Sequence, residues 1–84
     1  MTDKVKTVHL HYYAVLREES GISDESVQTL ARTPADLYTE LADRHGFSLE
    51  AEYVKVVVNA EIREWGCAIR DGDTVIFLPP VSGG

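Results

Sequence analysis

The chain has 84 residues, room for one small domain, and its 44% apolar and 26% charged residues are those of an ordinary globular protein rather than a disordered one. A single cysteine, Cys67, excludes an internal disulfide or a cysteine-based zinc cluster, so the fold must stand on a modest apolar core. The formal charge of −6 argues against nucleic-acid binding, which needs a net basic face, and favours a basic protein partner.

Residues 5–13 alternate, with Val8, Leu10 and Tyr12 on one face and Thr7, His9, His11 and Tyr13 on the other. That period predicts a half-buried strand. Ala14 to Glu19 reads as a short helix closed by Ser20-Gly21, and residues 25–30 as a second strand. Thr33-Pro34-Ala35-Asp36 is a helix start: a capping hydroxyl, a proline at the first helical position and an acid in the first turn. Leu37 and Leu41 follow at helical spacing and should bury against a sheet, and Gly46 ends the run. Residues 53–59 predict the most apolar strand, with Val54, Val56 and Val58 facing one way. Asn59-Ala60 fits a turn, and Glu61-Ile62-Arg63 a short returning strand. Asp71-Gly72-Asp73 is a turn before the last strand, Thr74 to Leu78, which must stop at Pro79-Pro80 because proline donates nothing to a ladder. The order implies an α+β layer with one main helix against a mixed sheet; the first and last strands are its natural central pair, although the pattern alone does not give that adjacency. No linker or repeat divides the chain, so residues 1–84 are expected to form a single domain, with 79–84 as a flexible C-terminal tail. No apolar run is long enough to cross a bilayer, and no signal-peptide core follows Met1-Thr2-Asp3-Lys4, so a cytoplasmic setting is expected.

The tail Val81-Ser82-Gly83-Gly84 has no core-forming pattern. From Pro79 it can extend roughly 20 Å at about 3.3–3.6 Å per residue, and its two glycines permit close approach to another backbone. Such a tail can deliver a terminal carboxylate into a partner's pocket. A carboxylate is a poor acyl donor until activated, so adenylation with ATP followed by sulfur transfer would make it a thiocarboxylate.

The stretch from Asp71 through Thr74-Val75-Ile76-Phe77-Leu78-Pro79-Pro80-Val81-Ser82-Gly83-Gly84 closely resembles the C-terminus of the MoaD family, the ubiquitin-like sulfur carriers that form the small subunit of molybdopterin synthase. Tyr13-Ala14-Val15-Leu16-Arg17-Glu18, Thr33-Pro34-Ala35-Asp36-Leu37 and Val58-Asn59 are also similar to that family. The resemblance implies a β-grasp fold and a Gly84 that an E1-like adenylyltransferase activates with ATP and a sulfur-donor protein converts to a thiocarboxylate. It implies that Gly83 gives slim access to Gly84, and that Phe77, Leu78, Pro79, Pro80, Val81 and Ser82 set the strand exit and meet the large subunit. There the tail would give sulfur to cyclic pyranopterin monophosphate, building the molybdopterin dithiolene in a heterotetramer. On this reading the chain is a sulfur-donor subunit and not a stand-alone catalyst, and it binds no cofactor itself. The stretch Glu61 to Ala68 departs from the family pattern, and Trp65 has no assigned role. Two other readings stay open: a related diglycine carrier for thiamine, cysteine or tRNA thiolation or for protein modification, and a β-grasp interaction module without sulfur chemistry.

Other candidates point to structure rather than chemistry. His9 and His11 share a strand face, but only His45 remains as a third histidine for a metal. Cys67 has no basic neighbour in sequence to activate it and reads as a small buried residue. Asp71 and Asp73 around Gly72 supply too few oxygens for calcium and read as a turn. No nucleotide-binding glycine loop is present, so adenylation must belong to another protein.

Overall fold

The alternation along the first segment becomes β1 (Lys6–His11), which buries Val8 and Leu10 and leaves His9 and His11 exposed. The computed structural model describes residues 4–80; the tail positions Val81, Ser82, Gly83 and Gly84 lie outside the described residues. After β1 come α1 (Ala14–Ser20), β2 (Asp24–Thr29), α2 (Pro34–His45), a 3₁₀ turn (Ala51–Tyr53), β3 (Lys55–Val58), β4 (Glu61–Arg63) and β5 (Thr74–Leu78).

The sheet order is β2-β1-β5-β3-β4. β1 and β5 pair in parallel at its centre, with His9 opposite Thr74 and His11 opposite Ile76. The other pairs are antiparallel. A mixed sheet of this order wrapped against one long helix is a β-grasp fold, as expected. α2 starts where the capping signal lies: the Thr33 hydroxyl accepts the Asp36 N–H at 3.2 Å, and Gly46 closes it at φ 74°. Leu37 and Leu41 are fully buried against Val8, Leu10, Val56, Val75 and Phe77 of the sheet.

Several boundaries differ from the sequence reading. β2 ends at Thr29 rather than at residue 30, because the Thr29 hydroxyl accepts the Ala31 N–H at 3.0 Å and turns the chain away. β3 starts at Lys55 rather than at residue 53, because Tyr53 and Val54 N–H groups bond back to Glu50 and Ala51 carbonyls in the 3₁₀ turn. The inward set Val54, Val56 and Val58 is nevertheless the one the alternation implied. Asn59 and Ala60 both take positive φ, 51° and 70°, as the mirror-image turns favoured in tight hairpins require.

Trp65 finds its role here. Its ring stacks on Phe77 at 5.6 Å and meets the edge of Tyr38 at 5.5 Å. Its carbonyl accepts the Ala35 N–H at 3.1 Å, tying the segment after β4 to the first turn of α2. The aromatic contacts continue from Tyr38 through Phe47 to Tyr12 and His45. Cys67 is half-buried and packs against this core.

Candidate functional site

β5 pairs with β1 as far as Ile76, opposite His11, and with β3 as far as Leu78, opposite Lys55. Pro79 and Pro80 then end the ladder, since neither has an N–H to donate. The strand therefore ends at a fixed point on a rigid sheet, and the tail begins there.

The expected set separates at this point. Phe77 is fully buried, its ring held by Trp65 and, at 5.0 Å, by Tyr38. It anchors the strand exit from inside the core. Leu78 and Pro79 are half-buried and Pro80 is exposed. These three form one wall of an open groove of about 600 Å³ whose other wall is Tyr13, Ala14 and Val15, with Leu49 beside them. Val81, Ser82, Gly83 and Gly84 lie outside the described residues.

The second wall was not singled out in the sequence as a surface. Its only signal was Tyr13, a large ring on the outward face of the first strand pattern, which is 49% exposed. The main chain is strained beside it, because Ala14 takes φ 51° at the sharp entry to α1, a region that disfavours residues with a Cβ. Leu49 is placed by tertiary contact: the Tyr38 hydroxyl donates to its carbonyl at 2.6 Å. Glu19 adds a second tie by accepting both the Ser48 N–H and hydroxyl, at 3.1 and 2.6 Å. Burial, and secondarily the Glu19 charge, raises the Tyr38 phenol above its ordinary value, so it stays a donor.

Acids follow both groove-lining segments in the chain, Glu18 and Glu19 after Val15 on α1 and Glu50 after Leu49. Glu25, at the start of β2, is committed internally: its Oε2 accepts the Tyr12 hydroxyl at 2.5 Å and meets His45 Nε2 at 2.6 Å. Those contacts tie the residue after β1 and the end of α2 to the start of β2.

The remaining sequence candidates take structural places. His9 Nδ1 pairs with the Ser26 hydroxyl at 2.7 Å, while His45 is held by Glu25. Among the described residues no group of three or more His, Cys, Asp or Glu side chains gathers to hold a metal. Asp71 accepts the Thr7 N–H at 2.7 Å, and Asp73 accepts from Asn59 Nδ2 and the Arg70 N–H at 2.9 and 2.8 Å. No helix among the described residues is long and apolar enough to cross a membrane.

A β-grasp sheet whose central strand runs into a proline pair beside an apolar groove has the build of the ubiquitin-like carriers. The ThiS family model matches residues 10–84, and the chain belongs to that family; it is a ubiquitin-like sulfur carrier of the ThiS/MoaD type. Three solved structures are similar over nearly their whole length. A protein described as molybdopterin converting factor subunit 1 from Pyrococcus furiosus is 28% identical, with a TM-score of 0.75, covering 90% of this chain and 99% of that one. Small archaeal modifier protein 1 from Haloferax volcanii is 26% identical with a TM-score of 0.75, covering 93% and 99%. A chain of the BexX/CysO complex from Amycolatopsis orientalis is 26% identical with a TM-score of 0.69, covering 92% and 99%. No curated protein gives a significant sequence match.

Proposed function

We infer that this chain is the sulfur-donor subunit of a molybdopterin synthase. The observation that carries the reading is the rigid exit of β5 into Pro79-Pro80 beside an apolar groove, followed in sequence by Val81-Ser82-Gly83-Gly84. Similarity to the Pyrococcus furiosus converting-factor subunit supports the choice of acceptor. In this reading an E1-like enzyme uses ATP to adenylate the Gly84 carboxylate, releasing pyrophosphate. A donor protein's persulfide then displaces AMP to give an acyl disulfide, and a second thiol cleaves it, leaving the thiocarboxylate and a disulfide. The large subunit takes the tail, and the sulfur passes to cyclic pyranopterin monophosphate.

The residues of this chain have a limited task in that scheme. Phe77 and Trp65 fix where the tail starts. Leu78, Pro79, Pro80, Tyr13 and Val15 offer the partner an apolar seat. The acids around it favour a partner with a basic rim, because complementary potentials speed encounter and fix orientation. The same geometry serves a carrier for another acceptor, and the similarity to a chain of the BexX/CysO complex keeps that reading in view.

The test combines a deletion with a choice of acceptor. Removing Gly84 should leave large-subunit binding measurable and abolish sulfur transfer. A deletion variant that still supports full molybdopterin synthesis refutes carrier chemistry. The intact thiocarboxylated chain should convert cyclic pyranopterin monophosphate in the presence of the large subunit. Failure there, with success on a thiazole or tRNA acceptor, assigns the chain to a sister pathway.

A further inference from the structure

The two edges of the sheet are β2 and β4, and they differ in how they are protected. β4 has three residues and carries Glu61 and Arg63 at its ends, which limits pairing with another strand. β2 has six residues, and its last four, Ser26-Val27-Gln28-Thr29, are uncharged and free of proline. Its register shows which groups are open. Tyr12 N–H bonds to Ser23 O, and Tyr12 continues the series Lys6, Val8 and Leu10 opposite Thr29, Val27 and Glu25. His9 N–H turns the other way, to Asp73 O. Antiparallel alternation then directs the N–H and C=O groups of Glu25, Val27 and Thr29 to β1, and those of Asp24, Ser26 and Gln28 outward. Among the described residues these outward groups have no strand beside them.

A groove of about 390 Å³ lies at the C-terminal end of this strand, beside α2, lined by Val5, Gln28, Thr29, Leu30, Glu40 and Arg44. Val5 and Leu30 are 58% and 53% exposed, two apolar side chains in the groove where β2 ends. The floor holds a polar anomaly. Glu40 Oε1 accepts the Thr29 hydroxyl at 2.8 Å, but Glu40 Oε2 is buried and has no hydrogen-bond donor among the described residues. The Arg44 guanidinium stands 3.7 Å away, close enough to balance charge but beyond hydrogen-bond distance. A buried acceptor left unmet is unfavourable, and a donor arriving in the groove would satisfy it.

We propose that the β2 edge and its groove bind an extended peptide by strand addition. Its main chain pairs with Ser26 and Gln28, a branched apolar side chain covers Val5 and Leu30, and a neighbouring lysine donates to Glu40 Oε2. Strand addition draws affinity from main-chain bonds and specificity from the pockets beneath alternate side chains. The chain's charge of −6 favours a basic peptide over an acidic one. β2 lies two strands away from β5, about 10 Å at the usual strand spacing, so a peptide here leaves the tail base open. The carrier could be held by one protein through β2 while another takes its tail.

The test is amide chemical-shift titration of the full chain with the peptide acetyl-Thr-Val-Ile-Lys-Val-Ser-amide, alongside a control in which proline replaces the isoleucine. We expect saturable shifts at Ser26, Gln28 and Leu30 at millimolar peptide, and none with the proline control. Glu40→Gln should weaken binding about tenfold, the loss of one charge-assisted hydrogen bond. Leu30→Ser, at an exposed site that folding does not need, should weaken it as well. Ile62→Ser on β4 should change nothing. Shifts absent from β2, equal shifts with the proline control, or unchanged binding by both Glu40→Gln and Leu30→Ser would each overturn the proposal. So would concentration-dependent exchange protection of the Ser26 and Gln28 amides in the free protein, which would mean a second copy already fills the edge. None of these readouts depends on Gly84 or on sulfur transfer.

Discussion

Replacing Phe77 decides whether this residue serves the partner or the core. Its ring is fully buried, stacked on Trp65 at 5.6 Å and edge-on to Tyr38 at 5.0 Å. Phe77→Ala removes a whole buried aromatic side chain, a loss of about 3–5 kcal/mol. The upper half of that range applies, since both ring pairs go with it. At roughly 0.05–0.15 kcal/mol per residue a domain of this size holds about 4–12 kcal/mol, so the alanine variant is expected to lose at least about a third of its stability, and at the lower end of that range all of it. Phe77→Leu keeps most of the volume and should lose about 1–2 kcal/mol. With a urea slope near 1 kcal/mol/M for so small a domain, its midpoint should fall by about 1–2 M. Equilibrium urea unfolding followed by Trp65 fluorescence measures this directly, because Trp65 touches the substituted ring. Pro80→Ala, at an exposed site, should shift stability by no more than about 0.5 kcal/mol yet weaken binding of the protein that receives the tail. An unchanged midpoint in Phe77→Leu together with lost partner binding would refute the reasoning, since the ring would then be facing the partner.

Two further changes test the local physics. Burial first, and then the hydrogen bond to Glu25, hold the Tyr12 phenol above its ordinary value. A raised folded value gives stability that is fully present below the unfolded pKa of about 10 and is lost as pH rises beyond it. Tyr12→Phe should therefore flatten the alkaline fall in stability, and an unchanged slope above pH 10 would show that another group drives it. Ala60 sits at φ 70° beside Asn59, so Ala60→Gly should raise stability by about 1 kcal/mol; a lower urea midpoint would contradict that account of the hairpin.

Local signals in the sequence carried much of the fold. Thr33, Pro34 and Asp36 placed the start of α2 to the residue, because capping is chemistry between near neighbours. Gly21 and Gly46 at φ 79° and 74° likewise marked helix ends that a Cβ would strain. The β1–β5 pairing was anticipated from family likeness, since nothing local joins residues more than sixty positions apart. What stayed hidden depended on tertiary approach. Trp65 had no role in the sequence because its partners, Tyr38 and Phe77, lie on different elements. The Tyr12–Glu25–His45 linkage and the orphaned Glu40 oxygen also arise only once α2 lies across the sheet. The tail-base groove was half legible: Leu78, Pro79 and Pro80 stood out as a strand ending, whereas Leu49 reaches it through the Tyr38 hydroxyl.

The central claim is that this chain carries sulfur on Gly84. Intact mass spectrometry after incubation with ATP, a sulfur donor and an active E1-like enzyme tests it most directly. We expect the mass increase of a single oxygen-for-sulfur exchange, localised by fragmentation to Gly84 and absent without ATP. An unchanged mass, with an enzyme shown to thiolate another diglycine carrier in the same reaction, would contradict it.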